Sequence, residues 1–354
     1  MDKNLKKLKK ILYEVNDINN ASQVLGWDQA TYMPVKGAEA RARQMATLGK
    51  LAHQKFSSKK IAKLLKKLEP LEKDLDYNSN EASLIRVTRK DYEKATKIPA
   101  KFLEEFSTHA SATYQLWIEA RAEDNFDMVA DNLAKTLDYS RKMASYFPHE
   151  HIADPLIDTS DEGMTVSVLR PLFADLRKEL VPLVEAVVAQ EAADDSCVKQ
   201  FYPQDKQLDF SMMMAEAYGY DKKRGRLDLT HHPFMTNFAI DDVRITTRVN
   251  ENDISDAIFS TLHETGHALY ELGVSHDLDR TLLAGGTSSG VHESQSRLWE
   301  NQIGRSKDLW QYYYPKLQEA FPEQLQQYNL DDYYQAINKV SRSLIRTDAD
   351  ELTY

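Results

Sequence analysis

The chain has 354 residues, 42% hydrophobic and 28% charged, with a net charge of -10 and a pI near 5.5. That balance describes an ordered, soluble protein and argues against a nucleic-acid partner, and no run of residues is apolar for long enough to span a membrane. A lone cysteine, Cys197, excludes an internal disulfide framework, and the basic first ten residues lead into Glu14, Asp17 and asparagines instead of a secretory apolar segment, so a cytoplasmic location is expected.

A length of 354 suits one large or two ordinary domains. Residues 5–142 read as successive amphipathic helices. Leu8, Ile11, Leu12 and Val15 recur at helical spacing within a first helix over 5–18, with lysines on the other side. Trp27, Tyr32 and Met33-Pro34 mark an aromatic turn, after which 38–53 is a second helix. Trp27 and Asp28 suit either cleft lining or core packing with a helix cap. Lysine-rich 59–73 and charged 90–97 read as solvated faces, and 102–122 and 129–147 as long helices whose aromatic stripes belong to a core. The pattern breaks over 148–165, where His149 and His151 read as loop histidines, because no further ligand is spaced from them. Helical periodicity resumes over 166–191, interrupted only by Pro182, and again over 205–218, where Met212, Met213 and Met214 fill core.

Residues 225–250 are the one region that reads as strand. The β-branched and aromatic segments 234–240 and 243–249, separated by Asp241-Asp242, predict a small hairpin or meander. Alternation puts Arg244, Thr246 and Arg248 on one face. An edge strand can hold an extended peptide by main-chain bonds. Asp242 and Arg244 suit a structural ion pair equally well.

Residues 253–273 contain His263-Glu264-Thr265-Gly266-His267, the HExxH pattern. Asp253 suits an N-cap and Gly273 a helix stop. At about 100° per residue, Ile254, Ile258, Leu262, Leu269 and Leu272 share one stripe, whereas His263 and His267 fall roughly opposite, flanked by Phe259 and Tyr270. This predicts an interior helix lining a cleft. One helical turn apart, the two imidazoles can close on a single divalent ion, and Glu264 beside it can take a proton from water. Two surface histidines would give the same string, so the assignment needs a third ligand. We take it to be Glu293. The turn-rich 284–290 stretch before it can reverse the chain and start a helix antiparallel to the first. Two histidines and one glutamate leave a position open for water, as in catalytic zinc sites. Arg297 and Glu300 share the helical face of Glu293 and either orient it or form an ordinary surface pair. Farther on, 309–314 reads as aromatic core, 321–329 as a connector, and 331–345 as a helix that leads into Arg346.

Five motifs together resemble those of the carboxypeptidase Taq family of zinc metallocarboxypeptidases. They are His232-Pro233-Phe234 (HPF), Asp242-Val243-Arg244-Ile245-Thr246 (DxRxT), HExxH, His292-Glu293-Ser294-Gln295 (HESQ), and the IRxxADE motif of residues 345–351. The resemblance extends to Leu25-Gly26-Trp27-Asp28-Gln29 and Met33-Pro34, and so covers essentially the whole chain. It implies a mainly α, large helical metallopeptidase fold around a deep cleft, with one small β-sheet near the zinc site, as a single domain over 1–354. It further implies zinc, with cobalt as a substitute, peptide substrates with a free C-terminal carboxylate, and a homodimer at full length. By resemblance, His232, Asp242 and Arg244 shape the substrate side, and Arg346 grips the terminal carboxylate with its bidentate fork. The family pattern continues past residue 354 through a GxxQDxHW segment that is not in this sequence, so a C-terminally shortened chain is expected.

The expected reaction is release of single C-terminal residues. His263, His267 and Glu293 hold the metal, and Glu264 acts as general base. Two alternatives share these residues: another gluzincin peptidase, such as an aminopeptidase or oligopeptidase, and a catalytically incomplete metal-binding fragment. A di-metal bundle is excluded on spacing, because only Glu264 and His267 form the ExxH pair such sites need twice.

Overall fold

Asp2 starts the first helix by accepting the backbone N–H groups of Asn4 and Leu5. The structure, a computed structural model, describes residues 2–342, and is mainly helical with one small sheet. In chain order the helices are Lys3–Thr31 (α1), Ala38–Phe56 (α2), Lys59–Asp74 (α3), Asn80–Lys97 (α4), Ala100–Ala122 (α5), Asp127–Ser145 (α6), Asp154–Ser160 (α7), Val166–Val188 (α8), Gln204–Tyr218 (α9), Ile254–Leu272 (α10), Ser289–Arg297 (α11), Lys307–Ala320 (α12), Pro322–Leu325 (α13) and Leu330–Ile337 (α14). Among the described residues, no helix is long and apolar enough to cross a membrane.

The chain divides into two compact units. The first takes residues up to 162 together with 236–243 and 271–287. Here α1 packs on α2 and α3, α3 on α4, α2 on α5, and α5 on α6. The stripe predicted from Leu8, Ile11, Leu12 and Val15 is buried against Ile61, Leu64, Leu65, Leu68, Leu84 and Ile85. Helix α1 runs well past the expected residue 18. Trp27 is therefore on a helix, buried, with its ring edge-on to Tyr32, and Asp28 pairs with Arg41 at 2.6 Å. Core packing accounts for Trp27, and Asp28, within the helix, is a partly exposed member of an ion pair and not a helix N-cap. The interval 148–165 contains α7, whose seven residues were too few to show a period; His149 and His151 are exposed loop residues, as expected.

The second unit holds the remaining segments. Its core gathers Ile254, Ile258, Phe259 and Leu262 with Phe210, Met214, Trp310, Tyr314, Leu317 and Tyr333. Two expectations here are corrected. Helix α8 continues through both Pro171 and Pro182, since each proline removes a single backbone donor and the flanking turns keep theirs. Helix α14 ends at Ile337, short of the predicted 345. The Asn338 amide donates to the carbonyls of Tyr334 and Arg305, a side-chain alternative to another helical turn. Residues 345–351, with the IRxxADE motif and Arg346, lie outside the described residues.

The strands are Leu227–Leu229 (β1), Met235–Ala239 (β2) and Asp242–Thr247 (β3), in the order β1-β3-β2. Segments β2 and β3 match the predicted hairpin. Strand β1 adds a parallel partner, with Leu227 opposite Ile245 and Leu229 opposite Thr247. The expected alternation holds only as far as Ile245: Val243 and Ile245 are fully buried and Arg244 is half-buried, but Thr246, expected on the face of Arg244, is also fully buried, with its hydroxyl bonded to the Phe234 backbone, and Arg248 lies just past the strand.

Replacing Leu8, which is fully buried, by Ala is expected to destabilise the first unit by about 2–5 kcal/mol. Chemical denaturation followed by circular dichroism reads the change, and an unaltered midpoint would show that α1 is not part of that core.

Candidate metal centre

Helix α10 begins where the sequence places it. Asp253 accepts the backbone N–H of Ser255, and the helix ends one residue before Gly273. It is an interior helix: Ala257, Ile258, Thr261, Leu262, Thr265 and Ala268 are all fully buried. The buried hydroxyls are satisfied, Thr265 by the Thr261 carbonyl at 2.7 Å and Thr261 by the Thr247 hydroxyl at 3.1 Å.

Two backbone features bring Glu293 to the histidines. Ser288 caps α11 by accepting from Val291 N–H at 3.1 Å. Gly266, between the two histidines, lets the helices touch. A Cβ there would lie 2.6 Å from Ser296 Cα and 2.7 Å from the Gln295 carbonyl oxygen. Any side chain at 266 would force α11 away.

His263, His267 and Glu293 thus offer ligand atoms that all lie within 4.8 Å of one another. Glu293 Oε2 is 3.6 Å from His263 Nε2 and 3.4 Å from His267 Nε2. Ligands about 2.1 Å from a tetrahedral centre stand about 3.4 Å apart, so the two edges that meet at Glu293 have the length of those in a zinc site. Glu264 is also buried, and its Oε2 has no hydrogen-bonding partner among the described residues. An orphaned buried carboxylate oxygen thus lies beside that triangle. The residues present fit a divalent cation.

Each imidazole is backed at its other nitrogen. His263 Nδ1 is 2.8 Å from Glu300 Oε2, and His267 Nδ1 is 2.5 Å from His292 Nδ1. Tyr270 presents an edge to the His292 ring at 5.0 Å. Arg297 donates to Glu293 Oε1 at 3.2 Å and approaches Glu300 Oε2 at 3.4 Å, so it serves both carboxylates. Of the two expected roles for Arg297, orientation of Glu293 is the one with the geometry. Glu300 is directed instead to His263, a role that helical spacing alone could not show.

The titration pattern follows from burial and charge. Burial pushes Glu264 up to about 7, because His263 and the Met235 N–H only partly offset it. Burial also opposes ionisation of Glu293, but His267, His263 and Arg297 outweigh it and hold that carboxylate down at about 2. Burial lowers His263, and its bond to Glu300 and the carboxylates around it overturn that, for a net rise. His267 is lowered, chiefly by burial.

Of the residues expected on the substrate side, Arg244 sits half-buried on β3, Asp242 starts that strand, and His232 is exposed in the loop before β2. The structure brings together His263, Glu264, His267 and Glu293, and leaves these three as positions on strand and loop. Gly266 and Gly304 were overlooked in the sequence. A glycine inside a strongly helical pattern is unfavourable by about 1 kcal/mol relative to Ala, and that was the available signal.

Gly266→Ala is expected to destabilise the chain by about 1–3 kcal/mol through overpacking, and to weaken zinc binding by moving Glu293. Calorimetric zinc titration checks it, and wild-type affinity would show that the helix contact does not set the site. Because His263 holds its proton above the ordinary histidine value of 6.5 in the metal-free chain, zinc affinity should fall as pH drops through that range. A decline of about tenfold per unit, for one displaced proton, is expected when the titration is repeated between pH 8 and 6. A flat profile would contradict it.

Comparison with known proteins gives the family. Residues 7–354 match the family described as carboxypeptidase Taq (M32) metallopeptidase. Carboxypeptidase 1 of Bacillus subtilis is 37% identical over 346 residues, which cover 97% of this chain and 69% of that protein. Thermostable carboxypeptidase 1 of Thermus thermophilus is 38% identical, over 93% of this chain and 66% of its own. The chain thus spans about two thirds of the length of these relatives. The crystal structure of the M32 carboxypeptidase from Deinococcus radiodurans R1 superposes with a TM-score of 0.89 at 47% identity, covering 100% of this chain and 71% of that one. The chain belongs to the carboxypeptidase Taq (M32) family of metallopeptidases, and is an enzyme of the metallocarboxypeptidase class.

Proposed function

We propose that this chain hydrolyses the last peptide bond of peptides with a free C-terminal carboxylate, using His263, His267 and Glu293 to hold zinc and Glu264 as general base. The observation that carries the reading is the pairing of a ligand triangle with a buried Glu264 oxygen that has no partner among the described residues. A zinc ion held there supplies Lewis acidity, which lowers the pKa of water and polarises the scissile carbonyl. Glu264 takes the proton from water and returns it to the leaving amine.

The helical frame holds these groups without reorganisation, since α10 is fixed by the core and α11 is fixed to it at Gly266. Arg297 keeps Glu293 ionised and oriented. On the substrate side, Arg244, Asp242 and His232 are proposed to hold the end of the peptide and Arg346 to grip its carboxylate, on the strength of the motif resemblance. Zinc as the resident ion, with cobalt as a substitute, and a cytoplasmic homodimer complete the proposal; these rest on the resemblance and the acidic composition.

The test compares this chain with Glu264→Gln on a short peptide with a blocked N-terminus. One zinc per chain is expected in both proteins. Release of single C-terminal residues should be about 10²–10⁴-fold slower in the variant. Cleavage at internal bonds would replace the proposal with an oligopeptidase, and release only from peptides with a free amine would replace it with an aminopeptidase. Zinc binding with no hydrolysis by either protein would leave a metal-binding chain and overturn the activity.

A further inference from the structure

We propose that Glu300 is the positioning residue of His263, delivered to its Nδ1 by a π-helical turn, and that it thereby sets the metal affinity of the site. The proposal rests on the ligand set given above. Neutral imidazole carries a proton on one nitrogen only. A carboxylate at 2.8 Å from Nδ1 accepts that proton's hydrogen bond, and so leaves the Nε2 lone pair on the side of Glu293. His267 lacks this arrangement, since its Nδ1 meets the His292 imidazole. The two histidines are therefore unequally held, and His263 is the one backed by a charge.

Glu300 is built into place. Residues Leu298–Ile303 form a π-helical turn directly after α11. Each residue in such a turn rotates less than in an α-helix, so the face beyond 298 is turned relative to that of Glu293. One carboxylate can then lie between both Nε2 atoms while the next reaches behind His263. The turn closes on Gly304, whose N–H donates to the Trp299 carbonyl at 3.0 Å. A Cβ at 304 would lie 2.4 Å from the Glu300 carbonyl oxygen and 2.7 Å from that of Trp299, so no other residue fits without opening the turn. Two arginines fix the carboxylate from behind. Arg297 lies at 3.4 Å and Arg305 at 3.5 Å, and Arg305 is itself held over the Phe259 ring at 3.8 Å and by the Ile337 carbonyl. Burial opposes ionisation of Glu300, and its bonds to His263 and Arg305 overcome it.

The test measures zinc dissociation constants by competition with a chelating dye, with the visible spectrum of the cobalt-loaded proteins as a report on ligand geometry. Glu300→Ala is expected to raise the zinc Kd by about 10–100-fold and to alter the cobalt spectrum. Glu300→Gln keeps a neutral acceptor and should lose less, recovering part of the affinity. Gly304→Ala, which leaves every polar group in the chain, should weaken zinc as Glu300→Ala does. Wild-type Kd and spectrum in Glu300→Gln and Glu300→Ala, with binding abolished in His263→Ala, would overturn the proposal and leave the ligand set standing. Unchanged zinc binding in His263→Ala would instead sink the ligand set. If Glu300→Ala fails to fold because two arginines are left uncompensated, Glu300→Gln alone decides, and an unchanged Kd there sinks the proposal.

Discussion

At Gly266, α10 meets Ser296 and Gln295 of α11 with no room for a Cβ. Everything at the site depends on that approach. Glu293 comes within 3.6 Å of both histidines because its helix is pressed against theirs, and a separation wider by even one methyl group would carry it out of reach. The contact also seats Ser296, whose hydroxyl donates to the Glu293 carbonyl at 2.7 Å and lies 3.3 Å from its carboxylate. A residue that contributes no side chain thus decides the position of one that does.

Charge balance explains why the three carboxylates behave differently. Glu293 has Arg297 and two imidazoles beside it, and Glu300 has His263, Arg305 and Arg297; both are held ionised against the effect of burial. Glu264 is the most deeply buried of the three, and it gains only His263 and one backbone N–H while both other carboxylates repel its charge. It is the group whose ionisation the site leaves to be supported from outside. A dication between the histidines and Glu293 would supply that support, which is the electrostatic counterpart of its unpartnered oxygen.

The HExxH helix was legible because its evidence is local. Cap, apolar stripe and histidine spacing all lie within twenty residues, and tertiary structure only confirmed them. Glu293 was legible for a weaker reason, as an acidic residue that opens a helix after a glycine-rich turn. The direction taken by Glu300 was not legible, because helical projection assumes a uniform rotation per residue and a π-turn changes it with no compositional mark beyond Gly304. Similar limits apply to α8, where Pro182 read as an interruption and, like Pro171, proved to be internal, and to β1, whose three residues are ordered by pairing with β3 and not by any period of their own. Helix α14 stops because the Asn338 amide takes carbonyls from Tyr334 and from distant Arg305, and only the second of these is invisible to local reading. The substrate side is the least legible part: Arg244, Asp242 and His232 are positions on β3 and on the loop before β2, and a role for them at a peptide end rests on the motifs alone.

A helix bearing a carboxylate in its buried stretch is unstable unless its other faces compensate. Ile254, Ile258, Phe259 and Leu262 are buried in one apolar cluster, each contributing about 1.5–3 kcal/mol. Thr261 and Thr265 pass through the same interior with their hydroxyls bonded, so they add little penalty. Leaving the Glu264 oxygen unbonded costs about 1–3 kcal/mol or more for a charged group, which a single buried aromatic on the opposite face offsets. The helix therefore needs no hydrogen bond at Glu264 to stay folded. A partner placed there for stability would compete with water for that oxygen, so the apolar face of α10 is what leaves its polar face available for chemistry.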